Sequence, residues 1–420
     1  NTFAPNPSVN TDLVGTFKTT PNNAGVGMFD FRPIIESFVS TDNLARVGSK
    51  YKLATNTADT NVPIHLIDRY SGNKNIIRYF AVKFTTEYVD ADGDIVFDGT
   101  TDISDTLQIF NGYLKYTDRL DLTGVNFGYD LSTFKISNQS TTNKFLTNAP
   151  LIQYANLQDY GTVAIYATTN NLDFIKLIYK NSNGGTIGQE NIDRTTANGA
   201  YDIFTAFSEF NILYFGCFPG NLQGSSTGFQ SLVTAGTIQG GSIVVQAFNN
   251  SSQEISQEYT IDLNCPNTKG FEPIRLCWLN QWGAWDYYTF TMKSSKMIST
   301  KGSTYQQLEG SWNDSAYRID SFRGGKKAFR VNATEKITMN TDFVNESESS
   351  WFEELINSPE VYILEGFTDE TATPNTALNK YVTPVRLTTS SYTRKTIAND
   401  KIMQYTFEVE KSKTLRTQSV

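Results

Sequence analysis

Between its polar ends this chain repeats apolar side chains at every second position far more often than at the 3.6-residue spacing of a helix. That period restricts it to sheets whose strands bury one face. In Ile76 to Val89, the residues Phe80, Val82, Phe84 and Tyr88 fall on one face and Lys83, Thr85 and Glu87 on the other, which predicts a half-buried antiparallel strand. Asp90-Ala91-Asp92-Gly93-Asp94 then turns the chain into Ile95-Val96-Phe97. A second hairpin is predicted from Phe174–Tyr179 through Asn181-Ser182-Asn183-Gly184-Gly185. A third runs from Ile243–Phe248 through Asn249–Ser252 to Tyr259–Leu263. Helical signals are few. Ser350-Trp351-Phe352-Glu353 reads as a capping box with Pro359 as the stop, and a shorter helix is expected from Phe31-Arg32-Pro33 to Phe38.

At 420 residues the chain exceeds one ordinary domain of roughly 150 residues. Strong turn chemistry at Cys265-Pro266-Asn267-Thr268-Lys269-Gly270 and the end of a polar stretch at Asn156 mark the expected joints. The expected organisation is an extended N-terminal arm (1–24), a β domain (25–156), a β-sandwich domain (157–265), a C-terminal β domain with one short helix (266–410) and a polar tail (411–420). The fold class is therefore mostly β: two or three antiparallel sandwich or barrel-like domains with few short helices and extended terminal arms.

Charge and composition narrow the function. With 35 basic and 43 acidic residues the net charge is −8, so no basic footprint for sequence-specific nucleic acid is evident. No run of about eighteen apolar residues appears, and Asn1-Thr2-Phe3-Ala4-Pro5 has no basic start or apolar stretch of a signal peptide, so no membrane partner is expected. Cys217, Cys265 and Cys277 have no C-x-x-C spacing and read as reduced. The Asn-x-Ser/Thr triplets at Asn138, Asn250, Asn313, Asn332 and Asn345 arise by chance in so Asn- and Ser-rich a chain.

No catalytic, cofactor-binding or metal-binding residue can be assigned, so the chain is read as no enzyme and as using no cofactor. The single histidine, His65, lies in the apolar run Val62-Pro63-Ile64-His65-Leu66-Ile67 and reads as a strand or core residue, which disfavours His-based triads and zinc sites. Asp90, Asp92 and Asp94 alternate as a calcium loop would have them, but Ile95-Val96-Phe97 follow at once where the loop needs further ligands. Both a solvated turn and a cation site stand at this point, the turn being the simpler. Arg323-Gly324-Gly325-Lys326-Lys327 lacks the strand-then-helix setting of a phosphate site and reads as a turn, a contact of its basic residues with an anion or a partner being the lesser alternative. No pair among the carboxylates is singled out for glycoside hydrolysis.

The most distinctive run is Ile274-Arg275-Leu276-Cys277-Trp278-Leu279-Asn280-Gln281-Trp282-Gly283-Ala284-Trp285-Asp286-Tyr287-Tyr288-Thr289-Phe290. It predicts a hairpin that reverses over Asn280 to Gly283. Trp278, Trp282 and Trp285 either fill a core, the usual fate of alternating aromatics, or form an exposed platform for sugar rings.

At this hairpin the sequence resembles virion proteins of tailed phages that infect Bacteroidetes, including crAss-like phages, through Asn280, Gly283, Trp285 and Asp286. Two further stretches are similar: Trp351 to Tyr362, a short helix leading into a strand, and Thr383-Pro384-Val385-Arg386-Leu387 with Asn399 to Glu408, a closing strand pair. The resemblance spans roughly residues 270–410. It implies a tail, neck-ring or baseplate subunit located in the virion, assembled from copies of itself with other virion proteins and with no catalytic residues to carry over. The runner-up expectation is a carbohydrate-binding surface protein or receptor-binding adhesin that contacts host surface glycan through the tryptophans, and a third is a tail-associated glycan hydrolase.

Overall fold

Ile212–Phe215 and Ile274–Leu279 are buried at every residue, as central strands covered on both faces must be. They anchor two separate sheets in a computed structural model. It describes residues 13–41, 70–72, 75–99, 102–104, 107–113, 134–136, 141–167, 172–193, 212–264, 270–311, 316–319, 322–365, 382–391, 393, 403–413 and 415–419. The chain is mostly β, with few short helices, and divides into two compact units. The first comprises 1–264 with Leu279–Asp286 and Gly366–Asn375; the second comprises Cys265–Trp278, Tyr287–Glu365 and Thr376–Val420.

The first unit contains two main sheets. In the four-stranded sheet, Ile212–Phe215 lies between Tyr70–Gly72 and Val163–Ala167, and Lys135–Ile136 closes the far edge in parallel. The five-stranded sheet runs Thr186–Asp193, Phe174–Lys180, Ser242–Phe248, Tyr259–Asp262 and Ile152–Tyr154, the last pair again parallel. Tyr259–Asp262 alternates buried and half-buried residues, the period-two pattern of a strand with one covered face. Two helices that the sequence reading did not anticipate, Pro219–Ser225 and Thr227–Thr234, follow Ile212–Phe215. Ser226 caps the second by accepting from Phe229 N at 2.9 Å, and its hydroxyl also donates to the Glu190 carboxylate, which Tyr179 OH reaches at 3.1 Å. One cap thereby ties the helix to two strands of the sheet.

The expected joint at Asn156 falls inside this unit. Asn156 N donates to the Asp159 carboxylate at 2.8 Å, Ala155 N to Asp262 O at 3.0 Å, and Ala155 is wholly buried. Polar composition there reflects a hydrogen-bonded turn beside the edge strand Ile152–Tyr154, and no unit boundary lies near it.

The second unit is built on an eight-stranded sheet in the order Trp285–Phe290, Ile274–Leu279, Val361–Leu364, Val382–Leu387, Thr406–Lys411, Gly325–Asn340 and Ser294–Gln307, with Leu415–Ser419 also pairing to Gly325–Asn340. The residues read as a polar tail therefore carry a strand: a backbone ladder accepts polar side chains as readily as apolar ones when the strand lies at an edge. Helix Glu346–Asn357 supplies Trp351, Phe352 and Leu355 to the core. Trp351 lies 4.9 Å from Trp278, and Phe352 lies 4.9 Å from Tyr288 and 5.6 Å from Phe407, between ring centroids. The capping box sits five residues upstream of the expected one: Asn345 and Glu348 exchange both bonds, Glu348 N to Asn345 Oδ1 at 2.9 Å and Asn345 N to Glu348 Oε2 at 2.7 Å. The helix ends at Asn357, ahead of Pro359 as expected, and Arg32–Ile35 with Glu36–Phe38 forms the short helical segment expected near Pro33.

Candidate functional site

Five reversals among the described residues are one structure. In each an Asx side chain accepts from the backbone N–H groups two and four residues on, its own N–H donates to the carbonyl four residues on, and the fourth residue has positive φ. Asn22, Asp90, Asn181, Asn249 and Asn280 hold the acceptor position at 2.8 to 3.1 Å. Gly25, Gly93, Gly184, Ser252 and Gly283 supply the positive φ. Asx side chains favour this arrangement because they mimic a backbone turn, and glycine enters the left-handed region without steric cost.

The recurrence bears on two candidates. Asp90 does at its turn what asparagine does at the other four: Oδ1 takes Asp92 N at 3.0 Å and Asp94 N at 2.9 Å, so the turn explains the carboxylate without a cation. Among the described residues no three His, Cys, Asp or Glu side chains converge as a metal site would need. The Asn280-to-Gly283 spacing belongs to the same recurring turn.

That turn differs from the others in being buried. Asn280 is 2% exposed and sends Nδ2 to Leu146 O at 2.8 Å and to Asp286 Oδ1 at 3.2 Å. Gln281 O accepts from Tyr113 N at 3.0 Å, and Trp282 packs on Phe134 at 4.6 Å. Trp278, Trp282 and Trp285 are 0%, 8% and 3% exposed. They are core residues, so the sugar-platform expectation loses the feature on which it rested. In the second unit Arg275 is buried too, with Nη1 on Thr289 Oγ1 at 3.0 Å and its guanidinium 5.2 Å from the Tyr287 ring centroid.

Of the remaining candidates, His65, Cys265, Asn138 and Asn313 lie outside the described residues. Cys217 and Cys277 are fully buried, and burial pushes both thiols far up from their ordinary range, the opposite of an activated nucleophile. Asn345 is the helix cap, while Asn250 and Asn332 are exposed. Arg323 to Lys327 is a turn entering a strand, with Gly324 at φ 96° and Gly325 at φ 75°.

What stands out on the surface is a pair of long two-stranded ribbons. The first pairs Ile77–Phe80 with Leu107–Phe110, Lys83–Phe84 with Asp102–Ile103, and Glu87–Val89 with Ile95–Phe97. The single half-buried strand expected there is thus three short pairings, and Phe84 and Tyr88 are exposed rather than covered. Alternation shows which side chains share a face; it does not supply anything to cover it. On the distal face Val89, Ile95 and Phe97 are 61% to 66% exposed. The N-terminal segment reaches this ribbon through Lys18, 2.7 Å from Glu87, while Phe17 stacks on Phe29 at 4.9 Å and Phe31 packs tilted against Phe29 at 4.7 Å.

The second ribbon pairs Ser294–Gln307 with Gly325–Asn340 and ends in the small hairpin Gly310–Ser311 with Arg318–Ile319. Strands Thr406–Lys411 and Leu415–Ser419 pair with residues between Arg330 and Asn340, and among the described residues no third strand joins the distal pairs from Thr304↔Ala328 to Gln307↔Gly325. Leu308, Ile319, Phe322 and Phe329 are 56% to 72% exposed there. The charges segregate as well: residues 77–110 hold seven carboxylates and two cations, residues 294–340 eight cations and four carboxylates. This contrast was present in the sequence and was missed because the net charge averages it away.

No helix among the described residues is long and apolar enough to cross a membrane. No known protein family matches the chain, and neither a curated protein nor a solved structure matches it.

Proposed function

We propose that this chain is a structural component of a tailed-bacteriophage virion, a tail, neck-ring or baseplate subunit that works through protein–protein contacts and carries out no chemistry of its own. The observation that carries the proposal is the pair of exposed ribbons. An isolated two-stranded ribbon is at best marginally stable in water, and large apolar side chains grouped on an exposed ribbon mark a surface meant to be covered. The resemblance over residues 270–410 supports the same reading. So does the construction of the second unit, where Thr406–Lys411 and Leu415–Ser419 support one end of the long ribbon between Arg330 and Asn340. Copies of the chain and other virion proteins are the proposed partners.

The test is to purify the full chain, measure its mass in solution, and look for it in intact phage particles by mass spectrometry and electron microscopy. Rings in the purified material, or density for the chain at the neck or tail, is the expected result. A stable monomer found in no particle, or turnover of host glycan by the purified chain, overturns the proposal.

A further inference from the structure

The two ribbons differ in sign. The first is acidic over residues 77–110, with Asp92, Asp94 and Asp98 exposed around its tip; the second is basic over residues 294–340, with Lys301, Lys326 and Arg330 exposed along its strands. Both present apolar side chains beside those charges: Val89, Ile95 and Phe97 on one, Leu308, Phe322 and Phe329 on the other. Resting on the reading of the chain as an assembly subunit, we infer that the acidic ribbon of one copy docks on the basic ribbon of the next.

Three physical points select this occupant. Two acidic ribbons brought together, or two basic ones, set like charges side by side, which opposes the contact and disfavours self-pairing of either ribbon about a two-fold axis. Opposite ribbons attract from within about a Debye length of 10 Å at 0.1 M salt, so the charges steer the encounter. The apolar residues then supply the area that loses water on contact. A contact that uses different surfaces on its two sides is heterologous, and repeated from copy to copy it closes into a ring or continues as a filament. A ring or tube needs that kind of contact.

The experiment uses the full chain in three charge variants. One reverses the acidic tip (Asp92→Lys, Asp94→Lys, Asp98→Lys), leaving Asp90 to cap its turn. One reverses the basic ribbon (Lys301→Glu, Lys326→Glu, Arg330→Glu). The third carries all six changes. Sedimentation velocity at 50 and 500 mM salt reads assembly size. Wild type is expected to assemble at low salt and to weaken at high salt. Each single-ribbon variant is expected to lose assembly by at least about tenfold in concentration, like charges now facing each other. Mixing the two single-ribbon variants restores it, because each supplies the ribbon that the other needs, and so does the six-fold variant on its own. That rescue separates lost contact from lost folding. Wild-type assemblies that survive all the reversals overturn the ribbon contact while leaving the subunit proposal standing. A wild type that is monomeric at every salt and concentration overturns this inference, and whether the chain is found in particles then decides the subunit proposal separately.

Discussion

Asn280 Nδ2 donates to the main-chain oxygen of Leu146 at 2.8 Å, across 134 residues of sequence. The same side chain closes its own turn through Trp282 N and Ala284 N at 3.0 and 2.9 Å. A residue chosen for local turn chemistry is thus also a long-range tie inside the first unit.

Asn280→Ala removes every one of these bonds and leaves buried donors and acceptors without partners, at a cost of about 3 kcal/mol. Asn249→Ala opens a turn of the same geometry at a half-exposed site, where water replaces the lost acceptor, and costs about 1 kcal/mol. Denaturant unfolding of the two variants should show that difference; equal losses would mean that the Leu146 contact contributes nothing.

Gly283 and Gly184 have nearly the same φ, 75° and 79°. A methyl at Gly184 meets nothing within 4 Å, whereas at Gly283 it runs into Asn111 O and Ile76. Gly184→Ala is therefore expected to cost only the left-handed backbone, about 1–2 kcal/mol. Gly283→Ala adds a steric conflict and should lower the midpoint of thermal unfolding well beyond that.

Asp90→Asn should leave stability within about 0.5 kcal/mol of wild type, because asparagine already fills this position in four sister turns. Millimolar calcium should not raise the melting temperature of either protein. A calcium-dependent rise in wild type that disappears in the variant would restore the cation reading of Asp90, Asp92 and Asp94.

Burial raises the Tyr166 phenol to about 12, with Tyr79 adding to the rise and the Gln108 hydrogen bond opposing it. Burial pushes Tyr179 and Tyr288 up as well. A folded-state value above the unfolded one means that the folded chain holds the proton more tightly. The stabilisation is complete below pH about 10 and disappears as pH climbs through the folded-state values. Urea midpoints should hold steady up to about pH 10 and fall steeply above it, less steeply in Tyr166→Phe.

Phe352 contacts Trp278, Tyr288, Phe290, Tyr405 and Phe407 in the second unit. Phe352→Ala should cost about 3–5 kcal/mol and release near-ultraviolet dichroism from the surrounding rings. A loss under 1 kcal/mol would mean the helix is not held by this core.

Much of the local structure was legible in the sequence. Period-two alternation and Asx-x-x-Gly spacing fix strands and reversals through forces that act within a few residues: the pleat, and a side chain that hydrogen-bonds its own backbone. The hairpins at Asn181 and Asn280 follow from them, and the one at Asn249 from the same Asx chemistry with Ser252 in the glycine position. Only tertiary structure decided what each face meets. The tryptophans of the Asn280 hairpin are buried while the equally alternating Phe84 and Tyr88 are exposed, since burial depends on what arrives from distant parts of the chain. Leu415–Ser419, polar enough to be read as a tail, became a strand because Gly325–Asn340 offered it an open ladder edge, and no local pattern records the presence of that partner.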